Sequence, residues 1–104
     1  MKELMNKINQ FRDDRDWRKF HNEKDLAISI SLEASELLEL FQWKNSEEVV
    51  ESSLNEIKEE LADVLIYSLM MADNLNLDVE DIIKEKIEIN TKKYPIELSK
   101  GNNK

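Results

Sequence analysis

The sequence predicts an all-α protein, a bundle of four main helices in a single domain over residues 1–104. Three observations carry this. One Gly and one Pro in 104 residues leave little turn chemistry for a sheet-rich fold. Leu, Ile, Glu and Lys dominate, and these residues fill helices readily. Apolar side chains also recur three and four apart through most of the chain.

The first helix is predicted from residue 2 to about 15, with Leu4, Met5, Ile8 and Phe11 on one face. The charged run Arg12-Asp13-Asp14-Arg15-Asp16 breaks that pattern, and Trp17, Phe20 and His21 follow in a loop or short turn. Asn22 is placed to cap the second helix, with Asp25 three residues on as a variant capping box. That helix is predicted from about Glu23 to Trp43. Lys44 to Glu51 reads as a polar connector, with room for one helical turn after Ser46. Ser53 and Glu56 have the Ser-x-x-Glu spacing of a capping box and open a third helix running to about Asn74. Asn74 to Asn76 is a turn. Asp78 caps the fourth helix, which stops at about Tyr94, before Pro95. Pro95 to Lys104 is expected to be a loose tail packing briefly through Ile96 and Leu98.

Four carboxylates stand out against this frame. Glu33 and Glu36 are spaced i, i+3, as are Glu60 and Asp63, and both pairs sit in apolar stretches. On the second helix the polar arc holds Ser31, Ser35 and Glu39. Glu33 and Glu36 fall on the other side, among Leu26, Leu37, Leu40 and Trp43. On the third helix Glu60 and Asp63 share a face with Val64, Tyr67 and Met71. An acid pair at this spacing is ordinarily solvated surface. Two pairs on apolar faces are different, since crowded carboxylates repel strongly unless a cation joins them.

Residues three apart on a helix stand about 5–6 Å apart at Cβ, so two carboxylates can close on one ion. A second helix at the usual ~8–10 Å brings its own pair within reach. Oxygen ligands without His or Cys select Mg²⁺, with Mn²⁺ as a substitute, over zinc. Magnesium keeps positions for water and phosphate oxygens, which points to polyphosphate chemistry with a carboxylate such as Glu33 taking a proton from water.

The formal net charge of −8 disfavours a nucleic-acid polymer as partner, and the four acids supply half of it. No apolar run is long enough to span a bilayer, the N-terminus has no signal-peptide pattern, and there is no cysteine. The expectation is a soluble cytoplasmic protein without membrane contact.

The blocks around these acids resemble the MazG-like all-α nucleotide pyrophosphohydrolases, in their dCTP pyrophosphatase branch. Glu33-x-x-Glu36 followed by Glu60-x-x-Asp63 matches the signature. Asp16-Trp17-x-x-Phe20-His21, Glu36-Leu37-x-Glu39-Leu40-Phe41-Gln42-Trp43 and Glu59-Glu60-Leu61-Ala62-Asp63-Val64-Leu65-Ile66-Tyr67 extend it. Lys86, Asn90, Tyr94-Pro95 and Leu98-Ser99-x-Gly101 carry it almost to the end. The resemblance implies a MazG-type fold and hydrolysis of a (deoxy)nucleoside triphosphate, dCTP or a related or modified dNTP, to the monophosphate and pyrophosphate. That is a house-cleaning task on the nucleotide pool. It implies Glu33, Glu36, Glu60 and Asp63 as magnesium ligands, Trp17, Trp43 and Tyr67 around base and sugar, and Lys86 and Asn90 on the nucleotide. It also implies a homo-oligomer, a tetramer built as a dimer of dimers before a simple dimer, with pockets completed by a neighbouring subunit. Ile8 stands where cytosine-preferring members carry a histidine, which removes a base contact. A competing reading is a non-enzymatic acidic helical adaptor or inhibitor for a basic protein. A di-iron bundle would want Glu-x-x-His on its helices, and none is present.

Overall fold

The structure is a computed structural model describing residues 1–101; the end of the expected tail, residues 102–104, lies outside the described residues. These contain six α-helices, one 3₁₀ turn and no strand. α1 (Lys2–Asp14) leads through the 3₁₀ turn (Arg18–Phe20) to α2 (Glu23–Glu39). α3 (Ser46–Ser52), α4 (Leu54–Asn74), α5 (Val79–Lys93) and α6 (Ile96–Ser99) follow.

α2 and α4 pack along each other, while α1 and α3 lean on α4. Leu26, near the start of α2, shares a core with Met70, near the end of α4, and with Ile8 of α1. At the other end Glu33 and Glu36 meet Glu60. These pairings run in opposite senses, so the two helices are antiparallel, with α3 bridging them and burying Val49.

Side-chain caps start three helices. Asn22 accepts from the Asp25 amide at 2.8 Å and donates to its carboxylate, as the sequence predicts. Asp78 accepts from the Asp81 amide at 3.0 Å, again as predicted. Asn45 and Glu48 make the same reciprocal pair as Asn22 and Asp25. That pair turns the predicted connector into helix α3. The predicted Ser53 cap does not form. Ser53 closes α3 by donating its amide to the Val49 carbonyl and opens α4 in the same residue. Its backbone (φ −131°, ψ 30°) is therefore not the extended conformation that aims a capping hydroxyl.

Helix ends in this chain rely on left-handed residues other than glycine. After α1, Asp16 (φ 54°) donates its amide to Asp13, and Trp17 donates to Arg12. After α4, Asn76 (φ 55°) and Leu77 donate to Asp73 and Ala72 in the same pattern. Both are Schellman closures, with Asp or Asn where glycine is usual. α2 ends earlier than predicted. Beyond Glu39 its backbone tightens into i→i+3 bonds, and the chain turns at Trp43 (φ 65°). Trp43 is consequently off the helix face and 99% exposed.

Two further expectations are corrected. Arg12, read as part of a charged run that breaks the apolar pattern, is fully buried. Ile96 and Leu98 lie on the short helix α6 and are exposed, so the tail does not pack through them.

The four long helices do not close into a bundle within one chain. α5 makes no substantial packing contact with any other element, and Ile83, Ile87 and Ile89 on it are exposed. The radius of gyration is 16.9 Å, against about 13 Å for a compact domain of this length. The packing between α2 and α4 is accordingly the centre of stability. Leu26→Ala, at a site with no exposure, should cost about 2–5 kcal/mol in urea unfolding. Leu32→Ala, on the exposed side of the same helix, should cost less than about 1 kcal/mol.

Candidate active site

The antiparallel register of α2 and α4 brings three of the predicted acids together. Glu33 and Glu36 stand one turn apart on α2, and Glu60 faces them from α4. One carboxylate oxygen from each lies within 4.8 Å of the other two. Asp63, one turn beyond Glu60, is half-buried and close enough for its charge to act on Glu33. Glu36 is the most solvated of the four.

Glu33 and Glu60 each hold one carboxylate oxygen shut off from solvent with no hydrogen-bond donor. Such oxygens are costly unless something positive meets them. The electrostatics agree. Hydrogen-bond contact with Glu36 is the largest influence on Glu60, ahead of burial and of repulsion from Glu36 and Glu33, and its pKa is pushed up to about 7. Glu33 is also raised, chiefly by burial and then by Glu36 and Asp63. The set is all-oxygen, close and short of positive charge, which fits a hard divalent cation held by Glu33, Glu36 and Glu60 with Asp63 beside them.

Next to the acids opens a cavity of about 350 Å³, lined by Lys7, Ile8, Phe11, Trp17, His21, Asp63, Ile66, Tyr67 and Met70. Asp63 and Tyr67 belong to both regions. The aromatic rings meet edge to face in a chain: Phe11 to Trp17 at 5.5 Å, Trp17 to His21 at 6.5 Å and His21 to Tyr67 at 6.4 Å between centroids. Burial, then the charges of Glu33, Asp63 and Glu36, raise the Tyr67 pKa, so its hydroxyl stays protonated beside the acids. Burial and the nearby Arg12 lower the pKa of His21, which favours the neutral ring.

The pocket therefore gathers Trp17 and Tyr67 as the sequence reading expects, but not every predicted residue. Trp43 projects into solvent, and Lys86 and Asn90 sit on α5, away from the cavity. His21, placed by the sequence in a loop or short turn, forms part of the wall. Lys7 was not anticipated; its only signal is that it precedes Ile8 on the inner side of α1.

A model of the MazG-like family matches residues 28–104, leaving α1 and the Trp17 segment outside the match. dCTP pyrophosphatase 1 of Bos taurus is 35% identical over 97 residues, covering 88% of this chain and 57% of that protein. The Homo sapiens protein of the same name is 33% identical over 100 residues, covering 91% and 59%. The chain thus spans little more than half the length of these relatives. A crystal structure of a pyrophosphatase from Archaeoglobus fulgidus superposes with a TM-score of 0.88 at 46% identity, covering 91% of this chain and 92% of that one.

Linkage gives the acid cluster a measurable signature. A carboxyl whose pKa rises on folding binds its proton more tightly in the folded state. It favours the fold below its ordinary pKa of 4.5 and loses that contribution as pH climbs through about 7. Metal-free protein should show this decline as a falling midpoint in thermal melts from pH 5 to pH 8 in EDTA. Glu36→Gln, which removes the main cause, should flatten it. Millimolar Mg²⁺ should raise the wild-type midpoint more at pH 8 than at pH 6. A decline unchanged in Glu36→Gln would show that the cluster is not its source.

Proposed function

The chain belongs to the MazG-like family, and from that premise we propose that it hydrolyses (deoxy)nucleoside triphosphates between the α and β phosphates, releasing monophosphate and pyrophosphate. The observation that carries this reading is one juxtaposition. Three carboxylates lie within 4.8 Å of one another, two of them with buried and unsatisfied oxygens, beside an apolar aromatic cavity. Acids alone would suit many proteins; acids adjoining a pocket for a flat apolar group suit a nucleotide.

In this reading Glu33, Glu36, Glu60 and Asp63 hold Mg²⁺, with Mn²⁺ as a substitute. When bound, the metal offsets the charge of the triphosphate and polarises the phosphorus under attack. Glu33 accepts the proton of the attacking water, its buried oxygen having no other partner. Trp17 and Tyr67 flank the base and sugar, and the Tyr67 hydroxyl can donate toward the sugar or a carboxylate. Ile8, Ile66 and Met70 present no hydrogen-bonding group to the base, so on that side the pocket selects by shape, while Lys7, His21, Asp63 and Tyr67 are its polar lining. That supports dCTP and related or modified dNTPs as substrates rather than dCTP alone. Cleansing of a nucleotide pool in the cytoplasm is the corresponding role. An acidic adaptor for a basic protein would want these oxygens in solvent, and two of them are not.

The residues left outside the pocket support a homo-oligomer. Ile83, Ile87 and Asn90 follow one another at i+4 and i+3 along α5, with Lys86 alongside and Tyr94 at its C-terminal cap. No other element packs substantially on this stripe among the described residues. A second copy laid against it would bury the isoleucines and could carry Lys86 and Asn90 to a nucleotide, with the exposed Trp43 free to do the same. A tetramer, as a dimer of dimers, is the favoured assembly.

Pyrophosphate release from a dNTP panel tests the activity. Turnover should require Mg²⁺ and should vanish in Glu36→Ala and Asp63→Ala with helical circular dichroism retained; undiminished turnover in EDTA would overturn the reading. Ile87→Glu should shift the mass measured by light scattering toward the monomer and raise KM.

A further inference from the structure

Among the described residues the one polar side chain with no exposure is not an acid of the cluster but Arg12. Its side chain is fully buried, and its guanidinium neither lines the cavity nor bonds to the carboxylates of the cluster. Nη2 donates to Asn9 Oδ1 at 2.7 Å and to Asp73 Oδ2 at 3.1 Å, and Nη1 donates to Asn74 Oδ1 at 3.2 Å. Asn74 then uses its other end, donating from Nδ2 to the His21 carbonyl at 2.6 Å. The Arg12 carbonyl accepts from the Trp17 amide at 2.9 Å. Arg18 joins Asp73 from the far side at 3.6 Å and holds Asp13 at 2.6 Å.

Residues 15–21 are therefore fastened at both ends by one buried network: at Trp17 through the Arg12 backbone, and at His21 through Asn74 and the Arg12 side chain. These are the two residues of the segment whose rings line the cavity. The segment has no long helix of its own, only the 3₁₀ turn between them, and Asp16 enters it with a left-handed backbone. A guanidinium suits the task because its planar fork serves three acceptors in fixed directions, as lysine cannot.

We infer that Arg12 and Asn74 are positioning residues for substrate: they set the Trp17–His21 wall of the nucleotide pocket without touching the nucleotide. This rests on the reading of that cavity as the nucleotide site. The carboxylates are held separately, by the packing of α2 on α4, so the network controls binding of the organic part of the substrate and leaves the acid cluster in place.

The test uses the full chain. Asn74→Asp is nearly isosteric with asparagine but loses the donor to the His21 carbonyl; Asn74→Ala loses donor and acceptor. Both should raise KM for dNTP about five- to tenfold, the loss expected for one hydrogen bond, with kcat within about threefold of wild type. Arg12→Lys should fall in the same direction. The Mg²⁺-induced rise in melting midpoint should be unchanged. In a Trp43→Phe background, where Trp17 is the one remaining tryptophan, acrylamide should quench Trp17 more efficiently in each variant without any nucleotide present. A merely structural role predicts instead that Asn74→Asp behaves as wild type, or that kcat and the Mg²⁺ response fall together; either result overturns the inference. Trp17→Ala separates it from the reading beneath. If Trp17→Ala raises KM and the Asn74 variants do not, the positioning role fails and the pocket stands. If Trp17→Ala leaves KM unchanged, the cavity is not the nucleotide site and the inference falls with it.

Discussion

Mutual repulsion among carboxylates is the constraint around which this molecule is arranged. Glu33, Glu36 and Glu60 converge from two helices, with Asp63 alongside. A fold stabilised only by burying leucine would not choose this. The antiparallel contact between α2 and α4 is what forces the acids together, and its apolar half, Leu26 against Met70 and Ile8, offsets the electrostatic cost of its acidic half. Stability and site thus share one interface, with one end dry and cohesive and the other crowded with carboxylates.

Around that interface the chain manages its turns with a single glycine, Gly101. Asp16, Trp43 and Asn76 take left-handed conformations that glycine would ordinarily supply. Two of these turns flank Asp73, Asn74 and Arg12, so the ends of α1 and α4 are tied to each other and to the segment between α1 and α2. Aspartate and asparagine tolerate this backbone well. Tryptophan does not, and Trp43 is held there while its ring lies wholly in solvent. That combination suits a side chain intended for something outside its own chain.

Much of this was legible in the sequence, and the misses have physical causes. Helical phase put Glu33 and Glu60 on the apolar sides of their helices, and each buries an oxygen. The Asn22 and Asp78 caps were readable because an Asx residue with an acid three positions on leaves few alternatives. The helical turn expected after Ser46 is there as α3, but its length was not legible, because the Asn45 and Glu48 box that starts it was not sought within a stretch so polar. Ser53 misled because the spacing of a capping box carries no information about the preceding backbone. Arg12 was the larger omission. A charged residue in a charged run reads as surface, and its partners Asp73 and Asn74 lie some sixty positions away. Phase alone also could not say that the isoleucines of α5 would be left half-exposed, with no substantial packing partner among the described residues.

The detached position of α5 has a consequence for how the molecule breathes. Its 15 residues are close to the length at which a helix by itself is marginal in water, about 12–15 residues. With so little tertiary packing its amide hydrogens are guarded mainly by local hydrogen bonds, whereas those of α2 and α4 open only when the core opens. Exchange with deuterated solvent would then run on two clocks within one short polypeptide. The faster clock would slow as the protein is concentrated, in proportion to how often another molecule lies across that helix.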